Sequence, residues 1–272
     1  MPATEPIPTP PIPTPSGGAD FTTDDFLARV PEARALNLRV VGIEDTGTAT
    51  RSVRFASDDL TGFGYAPGQD LMVLVDTSGG RIIRRRYTIR RLDVADNVVE
   101  LVMITDSGGP GGRWARELRV GEEVEGIGPR GKITLSSGAE WHLFIGDDVA
   151  VPAFGAMIEA LPAGRRAIVI AEVASAGDES KIDPARPIEF DATWHHRDGR
   201  APGDSRALVA AARDVPLPDG PGHAYVFGEA SLVSAVRDVL ISRGLTQEQI
   251  SAKAYWGAGR ANASHGEPLK DR

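Results

Sequence analysis

The chain has 272 residues, no cysteine, and 30 basic against 38 acidic side chains, which gives a net charge of −8 at pH 7. The lack of cysteine excludes disulfides, thiolate-bound zinc, a cysteine nucleophile and a cysteine-ligated iron–sulfur cluster. The acidic balance argues against a nucleic-acid or anionic-membrane partner, and the absence of a membrane-length apolar stretch or a signal-peptide pattern leads us to expect a cytoplasmic protein.

The chain begins with a proline-rich segment, residues 1–18, that offers almost no side chains for a core and is predicted to be a disordered tail. From Leu36 onward, short runs rich in Val, Ile and Thr recur at a spacing of about ten residues, with turn residues between them. This pattern is typical of an antiparallel sandwich or barrel. We therefore predict a β-barrel domain over residues 19–137.

Near Trp141 the pattern changes to apolar strands that alternate with helices. The strand "WHLFIG", a Gly-Asp-Asp turn and a helix with Pro152 in its first turn begin this part of the chain. Alternating strands and helices predict a parallel sheet covered by helices, which is a Rossmann-like α/β fold. We place this domain at residues 138–264 and a flexible tail at residues 265–272.

The barrel half contains "RIIRRRYTIRRL", with six arginines in twelve residues. Side chains alternate along a strand, so Arg85 and Tyr87 are expected on one face and Arg86 and Thr88 on the other. A guanidinium binds a diphosphate through paired hydrogen bonds, and a tyrosine ring suits a sugar or a planar ring. An exposed edge strand kept soluble by arginine has the same composition, which leaves both interpretations open.

A glycine-rich turn, "DSGGPGGRWAREL", follows the next strand and leads into a helix. Glycines let the backbone approach a ligand closely, and the free N–H groups at a helix start attract phosphate. A plain strand-to-helix connection looks similar. The candidate residues are Gly111, Gly112, Arg113 and Trp114.

The second half has two strand–turn–helix junctions, and nucleotides bind at such junctions at the carboxyl ends of parallel strands. A lone glycine is a weaker signal than a GxGxxG sequence, and a carboxylate at a helix start is favourable without any ligand. The candidates are Gly146, Asp147 and Asp148 at the first junction and Gly228, Glu229 and Ala230 at the second.

Aromatic and histidine pairs occur in two further strands. Tyr255 and Trp256 close the last strand, where they are either core aromatics or part of a ligand-facing surface. His195 and His196 are neighbours in a strand and therefore point to opposite faces. They are badly placed to bind one metal ion together, and we expect no metal site.

Six short motifs occur in a fixed order between Arg85 and Trp256: "RYTIR", "RWA", "GPRG", "GDD" followed by proline, "GEA" and "YW". Arg85-x-Tyr87-Thr88 and the glycine-rich turn resemble the ferredoxin-reductase-like flavoproteins. The ordered set is similar to the siderophore-interacting proteins, which are FAD-dependent ferric-siderophore reductases. The resemblance implies an FAD-binding barrel followed by an NAD(P)H-binding α/β domain.

The resemblance also implies roles for individual residues. Arg85 would contact the FAD diphosphate with Arg86 beside it, Tyr87 would line the flavin, and Thr88 would hydrogen-bond near flavin N5. The helix start from Gly111 to Trp114 would bind the diphosphate; Gly112 stands where many relatives carry a hydroxyl, so one phosphate contact is expected from backbone alone. The two junctions, with Tyr255 and Trp256, would meet NADH or NADPH or face the flavin.

The implied reaction is hydride transfer from NADH or NADPH to FAD, followed by single-electron reduction of a ferric siderophore that releases Fe(II). No acid or base from the protein is required. An anionic siderophore would suit a basic surface beside the flavin, and we expect a monomer. The candidate substrate residues are Arg84, Arg86, Arg90, Arg91, Lys253 and Arg260. Relatives often carry Lys or Arg soon after the "YW" pair, whereas in this chain Gly257 follows and the nearest basic residues are Lys253 and Arg260.

Two alternative functions and the choice of electron donor stay open from the sequence. A general flavin reductase would pass electrons to a carrier protein such as a ferredoxin or flavodoxin. A non-enzymatic protein would bind a siderophore or a nucleotide. For the donor, Glu172 after the second strand would suit the ribose hydroxyls of NADH, whereas Arg197 or Arg200 would suit the 2′-phosphate of NADPH.

Overall fold

The computed structural model describes residues 32–77 and 82–258, together with Leu27. The tails expected at residues 1–18 and 265–272, and the candidate Arg260, lie outside these residues. Within the described part, no helix is both long enough and apolar enough to cross a membrane.

The first half forms a barrel of antiparallel strands. Burial alternates along these strands as the period of two requires, so that Leu36, Leu38 and Val40 of the first strand point into the core. The strands close in the order β1–β2–β5–β4–β3–β6, and a helix, α1, connects β5 to β6. The elements are β1 (Arg34–Asp45), β2 (Thr50–Ala56), β3 (Asp70–Asp76), β4 (Ile83–Asp93), β5 (Val98–Ile104), α1 (Pro110–Glu117) and β6 (Glu123–Arg130).

The second half is a parallel sheet with helices on both faces. Its strands are β7 (Trp141–Asp147), β8 (Arg166–Val173), β9 (Glu189–His196), β10 (Gly222–Glu229) and β11 (Ile250–Trp256), and its helices are α2 (Val151–Glu159), α3 (Arg206–Asp214) and α4 (Ala230–Ser242). The order β11–β10–β7–β8–β9 reverses direction between β7 and β10. Open α/β sheets bind ligands at such a reversal, outside the carboxyl ends of the strands.

The predicted fold class is confirmed: a closed barrel is followed by a parallel α/β sheet. The predicted helix with Pro152 in its first turn is α2, which ends at Glu159. The barrel strands end at Arg130 and the sheet begins at Trp141, so the predicted boundary lies in the connection between them. The domain limits themselves stay a prediction.

Polar contacts hold the two halves together. Arg90 on β4 makes two hydrogen bonds to Glu159 at the end of α2, at 2.7 and 2.6 Å, and both side chains are largely buried. Asp178 accepts a hydrogen bond from the backbone N–H of Ala49 at 2.8 Å. The first contact packs β4 against α2, and the second joins the β1–β2 turn to the segment that follows β8.

Candidate functional site

One face of β4 adjoins the start of α1. The ring of Tyr87 stacks on Trp114 with centroids 5.9 Å apart, and its hydroxyl donates to the carbonyl of Gly111 at 3.4 Å. A Cβ on Gly111 would lie 3.0 Å from the Tyr87 hydroxyl and 3.2 Å from Cγ of Arg85. The structure therefore brings together Arg85, Tyr87, Gly111 and Trp114, and a side chain at position 111 would crowd Arg85 and Tyr87.

The start of α1 has no side-chain cap. Gly109 is the N-cap and makes no side-chain hydrogen bond, and Pro110 is the first helical residue. The backbone N–H groups of Gly111 and Gly112 lie in the first turn, where a helix has no carbonyl partner for them. Arg113 lies on the side of α1 that, with Trp114, lines a groove of about 300 Å³. Such a helix start favours an anion.

Gly112 is fixed by its neighbour in the preceding turn. A Cβ at this position would lie well inside van der Waals distance of both the hydroxyl and the backbone carbonyl of Ser107. Ser107 therefore fills the space that a side chain at position 112 would need.

The other face of β4 contacts the parallel sheet. Asp70 on β3 accepts two hydrogen bonds from Arg86, at 2.8 and 2.5 Å, and one from Lys253 on β11 at 3.2 Å. The side chain of Thr88 lies against Tyr255, and the ammonium of Lys253 lies 5.2 Å from the centre of the Tyr255 ring. Burial raises the pKa of Tyr255, which keeps its hydroxyl protonated.

Asp147 is the central side chain of the carboxyl edge. Its Oδ2 accepts from the indole N–H of Trp256 and from the backbone N–H of Glu229, both at 2.8 Å. Its Oδ1 is buried and has no hydrogen-bond partner among the described residues. Burial and the neighbouring Asp148 raise the pKa of Asp147 to about 8, so this carboxyl is protonated at neutral pH.

Glycines allow the close approach of β7 and β10 at this edge. A Cβ on Gly146 would clash with the carbonyl of Phe227, and one on Gly228, which has φ of +134°, would lie 2.7 Å from the Asp147 carboxylate. Glu229 caps α4, which begins at Ala230, by accepting from two backbone N–H groups. Burial opposes the charge of Glu229, but hydrogen bonds from Ser231 and the backbone hold its pKa below the usual value.

An ion-pair network lies next to Asp147. Arg197 donates to Asp148 at 2.5 Å, and its other terminal nitrogen lies 3.8 Å from Glu172. Burial raises the pKa of Asp148 and of Glu172, although the charge of Arg197 opposes this in both cases. Arg200 donates to the backbone carbonyls of His196 and Arg197.

Among the described residues, the candidate substrate residues are not gathered into one basic surface. Arg90 and Lys253 are buried in ion pairs with Glu159 and Asp70. We therefore withdraw both from the substrate-facing group, because a buried cation held by a carboxylate is not presented to a ligand. Arg84 pairs with Glu125, Arg86 pairs with Asp70, and Arg91, which also contacts Glu159, keeps 58% of its side chain exposed.

Three functional neighbours were missed by the sequence analysis: Asp70, Ser107 and Glu159. Asp70 and Glu159 contact residues that are far away in the sequence, whereas Ser107 precedes its neighbour Gly112 by only five residues. A serine directly before the glycine-rich turn was the one available signal. His196 pairs with Glu179 at 2.7 Å, and the described residues contain no convergent group of three His, Asp or Glu side chains suited to a metal ion.

The barrel site fits FAD on its own geometry. Gly111 forms a cradle that a Cβ would fill, the helix start beside it is uncapped, and Arg85 and two aromatic rings border it. Backbone N–H groups and a guanidinium suit a diphosphate, and the rings suit a planar group.

Comparisons with known proteins agree with this geometry. A family model described as siderophore-interacting FAD-binding domain matches residues 66–133, and one described as siderophore-interacting protein matches residues 139–259. The chain is 31% identical over 190 residues to the ferric vibriobactin reductase ViuB of Vibrio cholerae, covering 68% of each protein.

Solved structures give the same result. A siderophore utilization protein from T. fusca is similar with a TM-score of 0.77 and 27% identity, over 86% of this chain and 95% of that one. The siderophore-interacting protein from Acinetobacter baumannii shares the fold, with a TM-score of 0.74 and 19% identity over 85% and 92% of the two chains.

Proposed function

This chain belongs to the siderophore-interacting protein family, and from that membership we propose that it is an FAD-dependent reductase of ferric siderophores that takes its electrons from NADH or NADPH. The coarser statement, a flavin oxidoreductase connected with siderophores, follows from the FAD-binding family model and from the similarity to ViuB. The donor, the release of Fe(II) and the residue roles belong to the proposal.

The observation that carries the proposal is the position of β4 between two nucleotide-type sites. One face of this strand presents Arg85 and Tyr87 to the open start of α1, and the other places Thr88 against Tyr255 at the carboxyl edge of the parallel sheet. Thr88 follows Tyr87 directly, so a flavin that is bound at the first site and extends past Tyr87 to Thr88 would reach the carboxyl edge, where a dinucleotide binds. Hydride transfer needs this proximity.

The chemistry that FAD supplies when bound is acceptance of a hydride and release of single electrons, which couples a two-electron donor to Fe(III). We assign Arg85 and the N–H groups of Gly111 and Gly112 to the diphosphate, and Tyr87 with Trp114 to the aromatic wall. Thr88 is assigned a hydrogen bond to the flavin edge. Tyr255 and Trp256 close the other side of the cleft and exclude water from it.

The proposed substrate is a ferric siderophore, in keeping with the name of the Vibrio cholerae relative. Arg91 on β4 keeps 58% of its side chain exposed, and we propose that it meets the anionic substrate. We further propose that the protein acts as a monomer in the cytoplasm, which size-exclusion chromatography and cell fractionation would test.

The test uses the purified protein and its flavin absorbance at about 450 nm. NADH or NADPH added without oxygen should bleach this band, and a ferric siderophore added next should restore it while an Fe(II) chelator develops colour. Restoration by a ferredoxin or flavodoxin but not by the siderophore would favour the general flavin reductase. A protein without flavin absorbance would leave only a binding function.

Two matched variants connect the reaction to the site. Arg85→Ala should lower FAD affinity about tenfold or more, because a guanidinium–diphosphate contact is a charge-assisted, paired interaction. Arg39→Ala removes an exposed arginine from β1 of the same barrel and should leave FAD content unchanged. Equal FAD content in both variants would overturn the assignment of Arg85.

A further inference from the structure

The last strand of the parallel sheet contacts the barrel through two side chains that point the same way. Lys253 and Tyr255 on β11 are two residues apart, so strand geometry places both on one face. The ammonium of Lys253 donates to Asp70 on β3 at 3.2 Å. The ring of Tyr255 lies against Thr88 on β4, which is opposite Asp70 in the register of the two strands. These four side chains form one contact between the two halves, which we call the β11 clamp.

Asp70 is shared between the two halves. It accepts two hydrogen bonds from Arg86 of its own barrel and one from Lys253 of the sheet. The side chains of Asp70 and Lys253 are only 6% and 5% exposed, so salt and water screen their attraction little. Because Arg86 keeps Asp70 paired, loss of the Lys253 ammonium would break the contact between the halves without leaving an unpaired buried carboxylate.

The Tyr255 ring is held by neighbours on β11 and β10. Its centre lies 5.2 Å from the ammonium of Lys253 and 5.5 Å from the centre of the Phe227 ring, which stacks on it. Burial raises the pKa of Tyr255, and the charge of Asp70 raises it further, as expected for neighbours in the clamp. The position of the ring relative to Thr88 therefore depends on the contact between Lys253 and Asp70.

The location of the clamp gives this ion pair its interest. A buried ion pair contributes little net stability, because the loss of hydration offsets the attraction, and its best-documented use is to fix register. Thr88 directly follows Tyr87, and the proposed function assigns both residues to the flavin. At such a site a misplacement of about 1 Å can lower a rate about a hundredfold.

We propose that Lys253 is a positioning residue of the reaction: through Asp70 it holds the carboxyl end of β11 in register with Thr88, and so fixes the gap in which the electron donor meets the flavin. The proposal rests on the proposed function, which assigns hydride transfer to this edge. It gives Lys253 a role that needs no contact with the siderophore.

The first test measures the spacing of the two halves without any reaction. The chain has no cysteine, so the exposed positions Val94, in the turn after β4, and Ile241, on α4, can be changed to Cys and spin-labelled. The purified protein should give a narrow distance distribution. Lys253→Met should give one about twofold wider, because domains move relative to each other unless their interface is large and apolar. A broad distribution with Lys253 intact would overturn the proposal whether or not the variant folds.

The second test separates positioning from binding. Lys253→Met should lower the rate constant of flavin bleaching at saturating donor about tenfold, while FAD affinity and the half-saturating donor concentration change less than about twofold. An unchanged rate constant would overturn the proposal. A loss of FAD affinity as large as that of Arg85→Ala would also overturn it, because Lys253 would then serve flavin binding.

Two further variants complete the design. Lys253→Arg retains a cation for Asp70 and should recover most of the bleaching rate; a rate as low as that of Lys253→Met would count against the ion pair. Lys181→Met removes an exposed ammonium and is the matched control, which should change neither the distances nor the rate constant. Wider distances in Lys253→Met, with no bleaching of the unaltered protein by NADH or NADPH, would uphold the clamp and refute the proposed function.

Discussion

The two sides of the cleft meet at β4 but differ in chemistry: one side presents hydrogen-bond donors and a positive charge, and the other presents carboxyl groups. The barrel side presents Arg85, backbone N–H groups and aromatic rings. Gly111 and Gly112 have no side chains, which lets these groups pack closely. The sheet side uses buried carboxylates, of which Asp147 and Asp148 have raised pKa values. The barrel side should therefore be sensitive to added volume, and the sheet side should be sensitive to protonation.

The largest effect is expected from a single methyl group on the barrel side. Gly112→Ala forces a Cβ against the Ser107 backbone, which cannot move as a flexible side chain would. Overpacking typically destabilises a fold by about 1–3 kcal/mol and occasionally more, and a clash with backbone belongs at the upper end of this range. Because the clash also distorts the turn assigned to the diphosphate, we expect FAD affinity to fall about tenfold or more. Flavin content after purification and FAD titration of the stripped protein measure it. Gly138→Ala, where a Cβ meets nothing within 4 Å, should bind FAD normally.

The contact that joins the two sides should give the next largest effect. Glu159→Gln leaves Arg90 buried without its counter-charge. We expect a loss of about 2–3 kcal/mol in the free energy of unfolding, which is at or below the low end for a broken buried ion pair. The loss is small because the partly exposed Arg91 also contacts Glu159. Denaturant unfolding measures this loss. A change no larger than that of the exposed Glu189→Gln would show that the joining contact contributes little.

The same ion pair has a pH signature. Burial opposes ionisation of Glu159, but hydrogen bonds from Arg90 and Arg91 hold its pKa below the usual value. A carboxyl with a lowered folded pKa contributes stability above its unfolded pKa, and this contribution is lost as the pH falls. Glu159→Gln should therefore flatten the acid limb of the stability profile.

Asp147→Asn tests the protonation of the sheet side. The folded pKa of about 8 lies above the unfolded value of 3.8, so the folded state binds the extra proton and loses stability as the pH rises between these values. Asn imitates the protonated carboxyl and should remove this loss, which would appear as a gain of a few degrees in Tm near neutral pH. Parallel stability profiles of the two proteins from about pH 5 to about pH 9 would contradict the assignment.

The smallest effect on stability should come from Arg91→Ala. This side chain is mostly exposed, so its removal should cost less than about 1 kcal/mol. The KM for an anionic ferric siderophore should rise a few-fold, and this difference should shrink at high salt because exposed charges are screened. Arg39→Ala serves as the control. A KM that is unchanged in both variants would show that Arg91 on β4 does not contact the substrate.

The alternation along β4 was predictable because strand geometry fixes it. Arg85 and Tyr87 contact the start of α1, whereas Arg86 and Thr88 contact Asp70 and Tyr255, as the period of two requires. The partner of each arginine was not predictable. Arg90 and Glu159 are 69 residues apart, and Asp70 and Lys253 are 183 apart. No local pattern connects residues at such separations.

The sequence by itself determined the elements, their order and the two nucleotide-type junctions, because strand and helix periods, turn residues and helix starts are local properties of the chain. Only the tertiary structure decided which charges are available. It buried Arg90 and Lys253 against carboxylates from other strands and helices, left Arg91 exposed, and placed Arg197 between Asp148 and Glu172. Charges are assigned by through-space neighbours, and the fold, not the spacing along the chain, brings those neighbours together.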